Sequence, residues 1–162
     1  VIEEKHTISL LVDNQPGVLS RISGMFSGRG YNIESLCVAA TMDPLVSRIT
    51  LVTRGDQSII EQINKQLNKL VNVIKVHDLT QTDFVERQMA LVKVRARPAQ
   101  KAEILRLVDI FRCKVVDVSS TYYTIEVTGT GEKLEAFLDL LRPMGIKEIA
   151  RTGAIALSRN KK

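Results

Sequence analysis

The apolar pattern of this chain runs through one order of elements twice, and that repeat limits the folds open to it more than any other feature. In the first pass Ile8, Leu10 and Val12 alternate with Thr7 and Ser9, the period of a half-buried strand. Val18, Ile22, Met25 and Phe26 then follow helical spacing. An extended stretch over 32–40 places Leu36, Val38 and Ala40 on one face, and a turn at Met42, Asp43 and Pro44 leads into a strand over 46–53. Ile59, Ile60, Ile63, Leu67 and Leu70 form the stripe of a second helix, and 71–79 reads as a closing strand. The order is β-α-β-β-α-β.

After the polar segment Thr80, Gln81, Thr82 and Asp83 the alternation restarts over 89–97, with Ala90, Val92, Val94 and Ala96 on one face. Pro98 suits the first turn of a helix whose stripe is Ile104, Leu105, Val108 and Phe111. Strands over 114–118 and 121–128 follow. Gly129, Thr130 and Gly131 form a turn with Thr130 as cap, and the next helix carries Leu134, Phe137, Leu138 and Leu141. Pro143 and Gly145 end it, and 146–157 is a last extended run. The expected fold is therefore α+β, two ferredoxin-like βαββαβ sandwiches: a first domain over 1–80, a linker over 81–87 and a second domain over 88–162. Each four-stranded sheet would carry two helices on one face and leave the other bare. Open edges and small cores make self-association, at least to a dimer, the physical expectation.

Composition narrows the class of protein. With 162 residues, 44% apolar and 25% charged, the chain can bury a real core. No window reaches the roughly 18 apolar residues of a membrane helix, and the opening VIEEKH lacks the pattern of a signal peptide, so a soluble cytoplasmic protein without membrane association is expected. The net charge is +5, but Arg159, Lys161 and Lys162 crowd the last four residues and read as a solvated tail. Cys37 and Cys113 lie far apart in apolar surroundings, as free buried thiols do, and no His, Cys, Asp and Glu set has metal-ligand spacing.

Ferredoxin-like sheets can bind RNA through aromatics on their central strands, but Ile8, Leu10, Arg48, Ile49 and Leu51 offer none, so no nucleic-acid partner is expected. Tyr122 and Tyr123 are adjacent and face opposite ways. His6 and His77 stand near strand ends without a nucleophile motif, and Asp13 with Glu34 shows no sign of an acid and base division, so no catalytic residue is assigned. The turn Asp13, Asn14, Gln15, Pro16, Gly17, Val18, Leu19 is different. Gly17 stands where a side chain would come between a ligand and the first N–H groups of a helix, whose positive end suits a carboxylate or phosphate. An ordinary turn capped by Asn14 or Asp13 fits the same residues. Asn32, where the first helix has ended at Gly28 and Gly30, could complement an amino acid with both a donor and an acceptor, and one site could then span two subunits.

The segment DNQPGVLSRISGMFSGRGYNIESLCVA resembles the opening of an ACT domain, in its closest form that of the small regulatory subunits of acetohydroxyacid synthase, also called acetolactate synthase. The resemblance continues through SRITLVTRGD, EQINKQLNKLVNVIKV, ERQMALVKVRA, IFRCKVVDVS and ARTGAIALSR, nearly the whole chain. It implies a first ACT domain and a second ACT-like one. It also implies a non-catalytic homodimer that binds and activates a large catalytic subunit and confers feedback inhibition by valine. Thiamine diphosphate, magnesium and FAD would belong to that large subunit, with no cofactor in this chain. The matching effector positions are Asn14, Gln15, Gly17, Val18 and Leu19, with Asn32 and Ile33 from the neighbouring subunit. A stand-alone ACT-type amino-acid sensor for another enzyme or a transcription system is the alternative, though such a sensor needs only the first unit.

Overall fold

The computed structural model describes residues 3–160, so Lys161 and Lys162 of the expected solvated tail lie outside the described residues. Two units are formed, one by residues 3–85 with 153–160 and the other by 86–152.

In the first unit the strands are β1 (Glu4–Asp13), β2 (Ile33–Ala40), β3 (Val46–Gly55) and β4 (Val73–Asp78), and the helices are α1 (Val18–Gly28) and α2 (Gln57–Asn68). The sheet order is β2-β3-β1-β4 with every neighbour antiparallel. Ile8 faces Leu51 and Leu10 faces Ile49, so the apolar positions of both central strands share one side. Val18, Ile22 and Phe26 of α1 and Ile60, Ile63 and Leu67 of α2 close over that side, and these side chains are buried together. The Asp56 carboxylate accepts the Ile59 N–H at 2.9 Å and caps α2.

The second unit repeats the plan with β5 (Phe84–Arg95), α3 (Lys101–Ile110), β6 (Lys114–Val118), β7 (Tyr122–Gly129), α4 (Gly131–Leu141) and β8 (Ile146–Arg151), in sheet order β6-β7-β5-β8. Ala90, Val92, Val94, Ile125 and Val127 meet Ile104, Val108, Leu134, Phe137 and Leu141 in its core. Thr130 caps α4 through the Lys133 N–H, as its place between two glycines suggests. Tyr123 is buried while Tyr122 lies outside under the Lys147 ammonium, 4.6 Å from its ring centre. Two βαββαβ sandwiches are thus present, the α+β ferredoxin-like class that the repeat implies.

Several local readings need correction. Pro98 precedes α3, which begins only at Lys101 with Gln100 as its cap residue, so the proline belongs to the turn before the helix. The run over 146–157 is two strands, β8 and β9 (Ile155–Ser158). The break comes at Gly153, whose N–H donates to the Cys37 thiol sulfur at 3.1 Å and where an added β-carbon would crowd the Ser35 side chain at 3.0 Å and the Leu36 nitrogen at 3.1 Å. From there the chain lies on the helix-free face of the first sheet: Ala154 and Ala156 are buried, and β9 packs on β1. That face is therefore not bare. Thr7, Ser9, Thr50 and Val52 point to it and are buried. Arg159 is no free tail residue either, because its N–H reaches the Asp83 carbonyl at 2.8 Å and its guanidinium the Asp83 carboxylate at 3.3 Å.

The cap on α2 gives a direct check. Asp56→Ala removes the only side-chain acceptor at that helix start and should cost about 1 kcal/mol, lowering Tm by roughly 2 to 4 °C in thermal unfolding.

Candidate functional site

Three segments meet where β1 ends. The Asn14 N–H donates to the Leu45 carbonyl at 2.8 Å and its side-chain amide donates to the Pro44 carbonyl at 2.9 Å, which ties the turn to the β2–β3 hairpin. On the other side the Asp13 N–H donates to the Asn72 carbonyl at 2.9 Å, and the Asn72 amide donates to the Asp13 carboxylate at 3.1 Å. Arg21, one turn into α1, donates to the Asn72 side-chain oxygen. Asn72 and Arg21 are thus structural partners of the turn that sequence spacing does not reveal, because Asn72 comes from the α2–β4 connection.

Held in this way, the chain turns into α1 through Gly17 at φ +85° and ψ −11°, the left-handed region that disfavours a side chain. Gly17 is itself the cap residue, so neither Asp13 nor Asn14 caps the helix; both are occupied by the contacts just described. The Val18 N–H lies a long 3.5 Å from the Gln15 carbonyl, and the N–H groups of Leu19 and Ser20 have no acceptor among the described residues. The first turn contains no acid. The helix therefore presents open donors and an uncompensated positive end. Asn14, Gln15 and Gly17 are exposed around it, Leu19 is 39% exposed, and Val18 is turned into the core. Space is also open at Gly17, where an added β-carbon would meet nothing within 4 Å.

Asn32 and Ile33 stand elsewhere in the same chain. Tyr31 closes the end of α1 by donating its N–H to the Phe26 carbonyl at 2.9 Å, and Gly30 takes the positive φ this requires. The Asn32 side chain is exposed and its carbonyl accepts the Thr53 hydroxyl at 2.6 Å, while Ile33 packs partly on the core. Ile33 faces Thr53, Thr53 faces His6, and the turn follows Asp13 at the far end of β1. Seven residues of strand separate the two ends, roughly 23 Å. One copy therefore brings Asn14, Gln15, Gly17 and Leu19 together and leaves Asn32 and Ile33 at the opposite end of the sheet.

His6 and the two cysteines lie away from this turn. His6 is buried with its Nδ1 2.9 Å from the Asp78 carboxylate. Cys37 and Cys113 are free and only half-buried, and burial raises the Cys113 thiol above its usual pKa against the opposing effect of Lys133, which makes it a poor nucleophile at neutral pH. Among the described residues no cluster of His, Cys, Asp or Glu could hold a metal ion, and no helix is long and apolar enough to cross a membrane.

Residues 8–75 match the family described as the AHAS small subunit-like ACT domain, and residues 87–160 match the small subunit of acetolactate synthase. A probable acetolactate synthase small subunit of Archaeoglobus fulgidus is 51% identical over 158 residues, covering 98% of this chain and 99% of that protein. The chain belongs to the acetolactate synthase small-subunit family. The acetolactate synthase small subunit of Mycolicibacterium smegmatis is 52% identical over 154 residues, 95% of this chain and 91% of the relative. The crystal structure of the small subunit from Thermotoga maritima superposes on this family member with a TM-score of 0.90 at 44% identity, covering 98% of this chain and 99% of that one. Family membership extends across both units, and the stand-alone sensor, which needs only the first, gives way to the synthase small subunit.

At Gly17 the strain and the steric effect separate. Gly17→Ala should fold and lose about 1 kcal/mol in denaturant unfolding, from the positive φ alone, because nothing nearby collides with the added methyl.

Proposed function

We propose that this chain is the non-catalytic regulatory subunit of an acetolactate synthase in branched-chain amino-acid biosynthesis, which activates the large catalytic subunit and makes it sensitive to valine. The thiamine diphosphate chemistry, with magnesium and FAD, belongs on this reading to the large subunit. The observation that carries the effector site is the start of α1, with acceptor-free N–H groups and no acid in its first turn, in a chain of this family. A valine carboxylate would take the N–H groups at Val18 to Ser20, and Leu19 would border its branched side chain.

The ammonium group needs an acceptor, and Asn32 supplies one only from a second copy. The sheet order makes such a copy physically reasonable. β2 is an edge strand with an open row of backbone groups, and Val38, Ala39 and Ala40 on it are exposed. Antiparallel pairing of the whole of β2 with its own twin, about a two-fold axis between Leu36 and Cys37, would bring Ile33 of one copy opposite Ala40 of the other. Ala40 faces Ser47, next to Val46, the partner of Asp13, so Asn32 of one copy would arrive beside the Gly17 turn of the other. Two such pockets would form per dimer. Valine would then act by favouring one dimer geometry, and the large subunit would respond to the geometry rather than to valine itself.

The test is reconstitution with a cognate large subunit and titration of valine against acetolactate formation. Gly17→Asp places a negative charge beside the ligand carboxylate and should raise the half-inhibiting valine concentration roughly 100-fold or more, while activation of the large subunit persists. Undiminished inhibition of the variant would remove the site.

A further inference from the structure

The helix-free face of the first sheet holds a cleft that the effector site does not use. Alternation along the strands directs Ser9 and Leu11 of β1, Arg48 of β3, and Lys75 and His77 of β4 to this face, where Leu11 is opposite both Arg48 and Lys75, and Ser9 is opposite His77. Leu79 and Ala156, Leu157 and Ser158 of β9 complete the walls around a volume of about 150 Å³. Among the described residues the lining has three basic side chains and no carboxylate.

Arg48 is half-buried and, among the described residues, its side chain makes one hydrogen bond, from Nη1 to the Ser9 hydroxyl at 2.7 Å. A guanidinium has five N–H donors, so most of its capacity is unspent. Neither Arg48 nor Lys75 forms an ion pair among the described residues. Asp78, beside His77 on β4, cannot neutralise them cheaply, because its carboxylate is held by His6 and by the Thr80 N–H at 3.0 Å. Withdrawing an arginine from water without a counter-charge is unfavourable, and an anion in the cleft would relieve it.

We propose that this cleft is a binding site for a small dianionic tetrahedral oxyanion, a phosphate group held by Arg48, Lys75 and His77 with the hydroxyls of Ser9 and Ser158. The guanidinium fork matches two oxygens of such a group, and Lys75 adds a point charge. Two fixed cations favour a dianion over a monocarboxylate. The volume falls well below the roughly 300 Å³ at which pockets for drug-sized ligands begin, which suits an ion or a terminal phosphate rather than a whole nucleotide.

The test is calorimetric titration of the intact protein with inorganic phosphate, glycerol phosphate and acetate at equal ionic strength and neutral pH. Saturable phosphate binding without acetate binding is expected, weakened roughly tenfold or more by Lys75→Gln and by Arg48→Gln and unchanged by Gly17→Asp. Lys75 is exposed, so Lys75→Gln remains decisive if Arg48→Gln folds poorly. Glycerol phosphate binding as well as the free ion assigns the site to phosphomonoesters, and its failure to bind assigns it to inorganic phosphate. Absence of saturable phosphate binding, or binding indifferent to both cleft variants or lost in Gly17→Asp alone, would overturn the proposal.

Discussion

The left-handed backbone at Gly17 is the constraint on which the regulatory reading depends. It lets β1 turn directly into α1 without a capping side chain, so the helix start keeps its donors. That economy is possible only because the turn is fixed from both sides by other groups. Asn14 spends its amide on Pro44, and Asp13 spends its carboxylate on Asn72, which in turn engages Arg21. Residues that would ordinarily cap the helix are thereby used to hold the turn, and the helix donors stay open.

A second consequence of the topology concerns where the rest of a ligand site can come from. In a βαββαβ unit the β1–α1 turn and the α1–β2 turn lie at opposite ends of the sheet, since α1 runs back along it. No rotamer change brings Asn32 to Gly17 across the length of β1. A site using both must use two copies, and the exposed edge at β2 is the element able to join them. The opposite face of that sheet has a different fate. It is covered by the last segment of the chain, with Ala154 and Ala156 small enough to lie close to the strands and Arg159 anchored on Asp83. Along that segment the face is filled by the protein's own chain, and only the cleft beside Arg48 stays open.

What could be read from the sequence followed physical periodicity. Strand alternation around Ile8 and Ala90 and the helical stripes of Ile60, Ile63 and Leu67 depend on neighbours close in sequence, so both sandwiches were legible from them. Gly17 was legible as the small residue between an alternating strand and a helical stripe, whereas its left-handed backbone was not. Asn72 and Arg21 were not, since their meeting depends on the α2–β4 connection folding back to the end of β1. The split between β8 and β9 was also hidden: 146–157 is apolar enough to read as one strand, and only the close approach of Gly153 to Ser35 and Leu36 shows why it breaks. Of the cationic cleft, the sequence shows Arg48 on one strand and Lys75 and His77 on another, and register alone unites them across β1.

The central claim is that one effector pocket takes its turn from one copy and Asn32 from another. Mixing Gly17→Asp chains with Asn32→Ala chains after unfolding and refolding them together tests it most directly, with valine inhibition of the reconstituted synthase as the readout. Each variant alone should be insensitive, but a mixed dimer concentrates both lesions in one pocket and leaves the other intact, so the mixture should recover part of the inhibition. A mixture as insensitive as its two parents would contradict a pocket shared between copies.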